Sequence, residues 1–229
     1  MSEIVSISEA SGASDTLGIE IKTNFAIYHL WAAARAARSA YEVQQANLNA
    51  VFGPWFEEMI QLVPVSVVMA GAALEAAANE VIQNILDNHT AWSVTDSRKE
   101  LLEDPKNEQT GNATARYRQV ALLLDTAPAK GSAPWQDADL LVKFRNAFMH
   151  LKPSWDRDDV HNGKLVKGLR NKKIPIVPAY KDKFLFPYGF LTYGCAKWSV
   201  RTVLTFSAEV TKLLNVHDTF VCGLDFTLP

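Results

Sequence analysis

The stretch Leu140-Leu-Val-Lys-Phe-Arg-Asn-Ala-Phe-Met-His-Leu-Lys-Pro153 decides how the chain is read. Leu140, Leu141, Phe144, Phe148 and Leu151 recur at three- and four-residue intervals, the spacing of one apolar helix face. Pro153 stops the pattern, because a proline biases the residue before it, Lys152, out of the helical region. A loop over Asp125–Ala133, with Pro128 and Gly131, precedes the stretch. Ser132 stands where a cap is needed, and a helix from about Pro134 to Leu151 is predicted. Most of this helix is ordinary packing. Arg145, Asn146 and His150 are its chemical residues.

Outward from this stretch, long helical patterns dominate. Residues Met1 to about Leu17 are rich in Ser, Ala and Gly and read as a loose lead-in. Phe25, Tyr28, Leu30, Trp31, Ala34 and Tyr41 give a helix from about Gly18 to Ala46. Asn47–Pro54 breaks it, and a second long helix is expected from Val65 to Leu86, with Pro64 at its first turn. Its run Ala70-Gly-Ala-Ala-Leu-Glu-Ala-Ala-Ala78 is small nearly all round, which lets another helix approach closely and makes this helix central. Glu75, Asn79 and Glu80 interrupt the run. A carboxylate there reaches solvent or pairs with a cation, because burying it alone is costly.

The segment Asn88–Asn112 reads as a polar connector with a helical turn near Ser97–Glu103, and Ala113–Leu124 as a further helix. Ser154–Tyr188 reads as an irregular insertion in which Ile174–Val177 and Phe184–Phe186 form a candidate hairpin. A last helix is expected from Gly189 to Leu214, followed by a tail over 216–229. The expected fold is all-α: an up-and-down bundle of four to five helices in a single domain over 18–215, with an insertion at about 154–188.

Composition supports one domain. The chain has 229 residues, 48% of them hydrophobic, enough for a sizeable core. The net charge is −2, but between Leu141 and Lys183 there are eleven Lys and Arg against four Asp and Glu. Such asymmetry makes a basic patch on an acidic protein or a solvated face. Cys195 and Cys222 lack metal-ligand spacing, no His, Cys, Asp and Glu cluster reads as a metal site, and no cofactor motif is present. The N-terminus lacks a basic region and a long apolar core, so no secretory signal is expected. The apolar run Leu62–Leu74, interrupted by Pro64, is expected to be too short to span a bilayer. These features fit a cytoplasmic protein with no membrane attachment.

On an ideal helix, positions 145 and 150 lie about 140° apart, so Arg145 and His150 do not stack. Asn146 and His150, four apart, share a face, and the amide is placed to orient the imidazole. In the last turn the helix dipole favours a charged His, a group suited to acid–base work. Arg145 then meets a His either by distortion at the helix end or across a two-fold axis from a second copy. The plain structural account is an Arg paired with Glu75 or Glu80 and a His that caps its own helix.

Phe144-Arg-Asn-Ala-Phe-Met-His150 resembles the R-x4–6-H signature of the HEPN superfamily, in which a polar residue, often Asn, follows the Arg. The Ala-rich helix carrying Glu75 and Asn79 is similar to the family helix that packs against the motif. The resemblance covers about Val65–Leu151 and, loosely, the last helix. It implies a dimer with facing motif helices and a metal-independent endoribonuclease, a toxin or phage-defence effector with an antitoxin or defence-system partner. In that reading His150 moves protons, Arg145 neutralises phosphate charge, and Asn146 positions one or the other.

The family also has members that bind without cutting, which leaves a non-catalytic sensing or assembly module as the alternative. Lys143, Lys152, Lys164, Lys167 and Arg170 are the candidate RNA contacts. Trp135, Trp155 and Tyr180 are candidate stacking residues. His161 reads as a loop residue.

Overall fold

A computed structural model describes residues 5–7, 19–21, 23–50, 52–88, 92, 94–103, 112–126, 131–151, 162–180, 186–221 and 225–229. The fold is all-α, with seven α-helices among the described residues: α1 (Ala26–Ala46), α2 (Pro54–Asp87), α3 (Asp96–Glu103), α4 (Ala113–Leu123), α5 (Ala133–Met149), α6 (Gly163–Asn171) and α7 (Tyr193–Leu214). Two three-residue strands, β1 (Val5–Ile7) and β2 (Ile19–Ile21), pair antiparallel with Val5 opposite Ile21.

The helix expected from Gly18 therefore starts later. Residues 19–21 pair with the lead-in, and α1 begins at Ala26. The Ala26 N–H donates to Asn24 Oδ1 and to Glu80 Oε1, each at 3.1 Å. Glu80 is thus half-buried and, among the described residues, bonded to an amide rather than paired with a cation. It lies at the positive end of the α1 dipole.

The expectation for α2 is corrected at its start. The helix begins at Pro54 and runs through Pro64. A proline inside a helix removes one backbone hydrogen bond and crowds the preceding turn. Phe56, Met59 and Val63, all buried, hold the extra turns against the core. The continuous helix contains an 18-residue window of mean hydropathy 1.7, long and apolar enough to cross a membrane, with 44% of that window buried in the fold. Pro64 does not shorten it, as had been expected. The helix also packs against α1, α3, α4, α5 and α7, the position of a core helix.

Contacts at the ends fix the directions. Ala26 meets Glu80, so α1 and α2 are antiparallel. The Tyr193 N–H donates to Gln44 Oε1 at 2.8 Å, so α7 starts where α1 ends. Trp135 packs edge-to-face on Phe206, and Phe144 on Phe190, so α5 is antiparallel to α7. The α1 face toward the core is mostly alanine, Ala33, Ala34, Ala37 and Ala40, and faces an α2 surface with Ala70, Ala73, Ala77 and Ala78. Small side chains on both sides allow the two backbones to come close.

The seven helices exceed the expected four to five. The turn near Ser97–Glu103 is a full short helix, α3. Its Arg98 donates to Leu123 O at 2.7 Å and forms a two-pronged pair with Asp125 at 3.0 and 3.1 Å. Part of the insertion is α6. Residues 174–177 carry no strand, and the Val177 N–H bonds Gly189 O at 2.9 Å; the other half of the expected hairpin falls partly outside the described residues. A 3-10 turn occupies Tyr188–Phe190, and α7 starts at Tyr193, where Thr192 caps it by accepting from the Cys195 N–H at 3.2 Å. The tail folds back onto the helices, with Phe220 buried and Arg38 donating to Asp225 O and Thr227 O at 3.3 Å.

Candidate functional site

The helix α5 ends two residues earlier than expected, and His150 is its C-cap. Ser132 stands at the N-cap position, but its hydroxyl bonds Glu209 of α7 at 2.6 Å rather than its own helix. Of the apolar stripe, Leu141 and Phe144 are buried and Leu140 and Phe148 partly so, whereas Leu151, past the end of the helix, is 47% exposed.

Arg145 projects toward α2. Its guanidinium pairs with Glu75 and donates through Nη1 to Asn146 Oδ1 at 2.9 Å. The Arg145 side chain is 19% exposed and that of Glu75 40%, so the pair is half-buried. The stem of Arg145 passes over Gly71, where an added Cβ would lie 3.0 Å from Arg145 Cγ and 3.1 Å from its Cβ. The small-residue run on α2 therefore has two occupants: α1 on one side and the Arg145 stem on another.

The expected amide–imidazole pair is replaced by a different arrangement. The Asn146 side chain serves Arg145, because a charged donor makes the stronger hydrogen bond to its oxygen. Asn146 and His150 are linked through the backbone, His150 N–H to Asn146 O at 2.9 Å. The His150 side chain is exposed and makes no hydrogen bond among the described residues. On an ideal helix, Asn146 lies about 40° from His150 against about 140° for Arg145, so a guanidinium turned onto Asn146 is carried toward the His face. The Arg145–Glu75 pair and the His at the C-cap are also the contacts that the plain structural account expects.

Asn79, one turn beyond Glu75, accepts from Arg116 of α4. It supports α4 rather than Arg145, and it brings a second guanidinium into the Glu75–Asn79 row. Arg116 was not singled out from the sequence: its helix shows no motif, and only the packing of α4 on α2 brings it there.

Of the candidate RNA contacts, Lys143, Lys164, Lys167 and Arg170 are exposed, while Lys152 lies outside the described residues, as do Trp155 and His161. Lys143 on α5 and Lys164 on α6 line one groove. Trp135 is corrected as a stacking residue: it is 3% exposed, packed on Phe206 in the core. Tyr180 sits in a group of rings with Phe52, Phe56 and Tyr188, centroids 5.8–6.1 Å from its own, at a shallow pocket of about 410 Å³. Rings this close pack on one another.

Glu80 is half-buried, and burial raises its carboxyl above the ordinary range despite the bonds from Ala26 and Thr219 that oppose the shift. Cys195 is fully buried in α7, and burial pushes its thiol well up.

The chain matches no protein-family model, and no curated protein or solved structure is significantly similar to it. What the fold defines is an all-α protein in which a half-buried Arg–Glu–Asn cluster adjoins an exposed histidine at a helix end.

Proposed function

We propose that this chain is a metal-independent endoribonuclease of the HEPN type, acting as a cytoplasmic homodimer in a toxin–antitoxin or antiviral setting. One observation carries the reading: Asn146 and Glu75 hold the Arg145 guanidinium in place, and five residues on, at the C-cap of the same helix, the His150 imidazole is exposed and without a partner among the described residues. A free imidazole is the group most able to move protons near neutral pH. A fixed guanidinium suits two oxygens of a phosphate whose charge is growing.

The chemistry needs only these groups. His150 accepts the proton of an RNA 2′-OH as that oxygen attacks the adjacent phosphorus. The P–O5′ bond breaks, and the departing 5′-oxygen takes a proton from the imidazolium of a second His150, or from the same one. The products are a 2′,3′-cyclic phosphate and a 5′-OH end. Arg145 neutralises the non-bridging oxygens, and a two-fold axis through the α5 ends would supply the second Arg–His set.

The purified protein should cut single-stranded RNA in excess chelator, leaving cyclic-phosphate ends. His150→Ala and Arg145→Ala should each lose at least a hundredfold in rate while remaining folded. Full activity in either folded variant would refute the assignment.

A second reading is a non-catalytic helical module for RNA or nucleotide sensing or for protein assembly. The Arg145–Glu75 pair favours it, because an arginine held by a carboxylate has a structural role already. A folded dimer that binds RNA and leaves it intact would select this reading.

A further inference from the structure

We infer that the groove between α5 and α6 is a channel for the phosphate backbone of a single RNA strand and that it leads to His150. The assignment to RNA rests on the ribonuclease reading above. The groove has a volume of about 800 Å³. That is within the range of ligand-binding clefts.

Close helix contact builds the groove. At Gly168 of α6 an added Cβ would lie 2.8 Å from Leu140 Cδ1 of α5, so the glycine lets the helices meet at that point. Lys143 then stands on one wall and Lys164 on the other. Both are exposed, and among the described residues neither makes an ion pair. The third lysine at the groove, Lys172, is paired with Asp137. The carboxylate at the groove, Asp139, is taken by Arg118 at 2.7 Å and by the Thr114 hydroxyl. Among the described residues, the charge left over in the groove is positive. The first turn of α6, whose backbone N–H groups point away from the helix, opens at the same place and adds to it.

The groove is aimed. Lys143 and Ala147 both line it, and His150 follows Ala147 by three residues on α5. On an ideal helix His150 lies within about 20° of Lys143 and about 10 Å further along the axis. A strand whose phosphates sit between Lys143 and Lys164 therefore continues along one face of α5 to the imidazole. The amides of Gln136 and Asn171 at the groove are suited to 2′-hydroxyls and base edges.

The test is fluorescence anisotropy of a labelled 12-nucleotide single-stranded RNA with full-length protein in a His150→Ala background, which separates binding from cutting. Lys143→Glu with Lys164→Glu should weaken binding at least tenfold. The slope of log affinity against log salt should become shallower by about 1.4, since each single-strand phosphate contact carries about 0.7. Lys143→Gln with Lys164→Gln, less disturbing to the fold, should move both readouts in the same direction. Arg201→Glu with Lys212→Glu on α7 is the charge-matched control and should change affinity less than twofold.

Binding within twofold of the parent in both lysine variants would overturn the channel, as would an equal loss in the control. Displacement of the RNA by poly-glutamate at equal charge concentration would also overturn it, pointing to an acidic polypeptide. If charge reversal abolishes binding in a protein that cuts no RNA, the channel stands and the catalytic reading fails. If the lysine variants bind normally and, with His150 restored, also cut normally, the catalytic reading stands without the channel.

Discussion

Replacing Gly71 by Ala tests how closely α5 is seated on α2. The new Cβ would meet Arg145 Cγ at 3.0 Å, its Cβ at 3.1 Å and its Nε at 3.4 Å, where ordinary contact begins near 3.4 Å. Either the helices separate by a few tenths of an ångström or the Arg145 stem rotates away from Glu75. Overpacking of this kind costs about 1–3 kcal/mol. Against it, Gly to Ala inside a helix gains about 1 kcal/mol. The net expectation is a loss of about 0–2 kcal/mol, or a fall in Tm of roughly 0–8 °C for a chain of this size. Repeating the substitution in an Arg145→Ala background removes Cγ and Nε, two of the three close atoms. There Gly71→Ala should be neutral or stabilising, and the double-mutant cycle by urea unfolding should give a coupling of about 1 kcal/mol. Two results would refute the reasoning together: a wild-type background stabilised by the full helix-propensity gain, and additivity of the two substitutions.

Two further outcomes follow from buried groups. Burial raises the Glu80 carboxyl from its ordinary value of 4.5, so the folded state resists the charge and stability is lost as pH rises from about 4.5 through the folded value. A Glu80→Gln variant keeps an acceptor for Ala26 without that charge. Its stability relative to wild type, by urea unfolding at pH 4 and pH 7, should therefore improve toward the higher pH, and a decline would contradict the burial argument. The Cys195 thiol, buried and held protonated, should resist iodoacetamide in the native protein and react once it is unfolded in urea. Rapid native labelling in a Cys222→Ser background would show that α7 opens far more readily than its packing implies.

The all-α class and the centrality of α2 were legible because apolar periodicity and the small-residue run report packing directly. Glu75 was legible as a partner for Arg145 because a carboxylate on a core helix needs a cation. The start of α2 was not, since Pro64 carries a local signal for a helix beginning, and only the burial of Phe56, Met59 and Val63 overrides it. The helix α6 was hidden by Gly163 and Gly168 within a charged, proline-bounded segment. One of those glycines is there for contact with Leu140 rather than for a turn. The start of α1 was misplaced because its first-turn partner, Glu80, is 54 residues away. At the site, the spacing sets positions 145 and 150 about 140° apart on an ideal helix. It assigned the Asn146 amide to His150, whereas the adjacent guanidinium claims it.

Glu80 joins segments that sequence keeps far apart. One oxygen of its carboxylate receives the first amide of α1, and the other receives the hydroxyl of Thr219 in the tail at 3.4 Å. Fraying of α1 from its first turn uncovers a carboxylate that the tail also uses, and peeling of the tail exposes the group that steadies α1. The start of α1 and the tail after α7 are thereby one cooperative opening unit, anchored on the central helix.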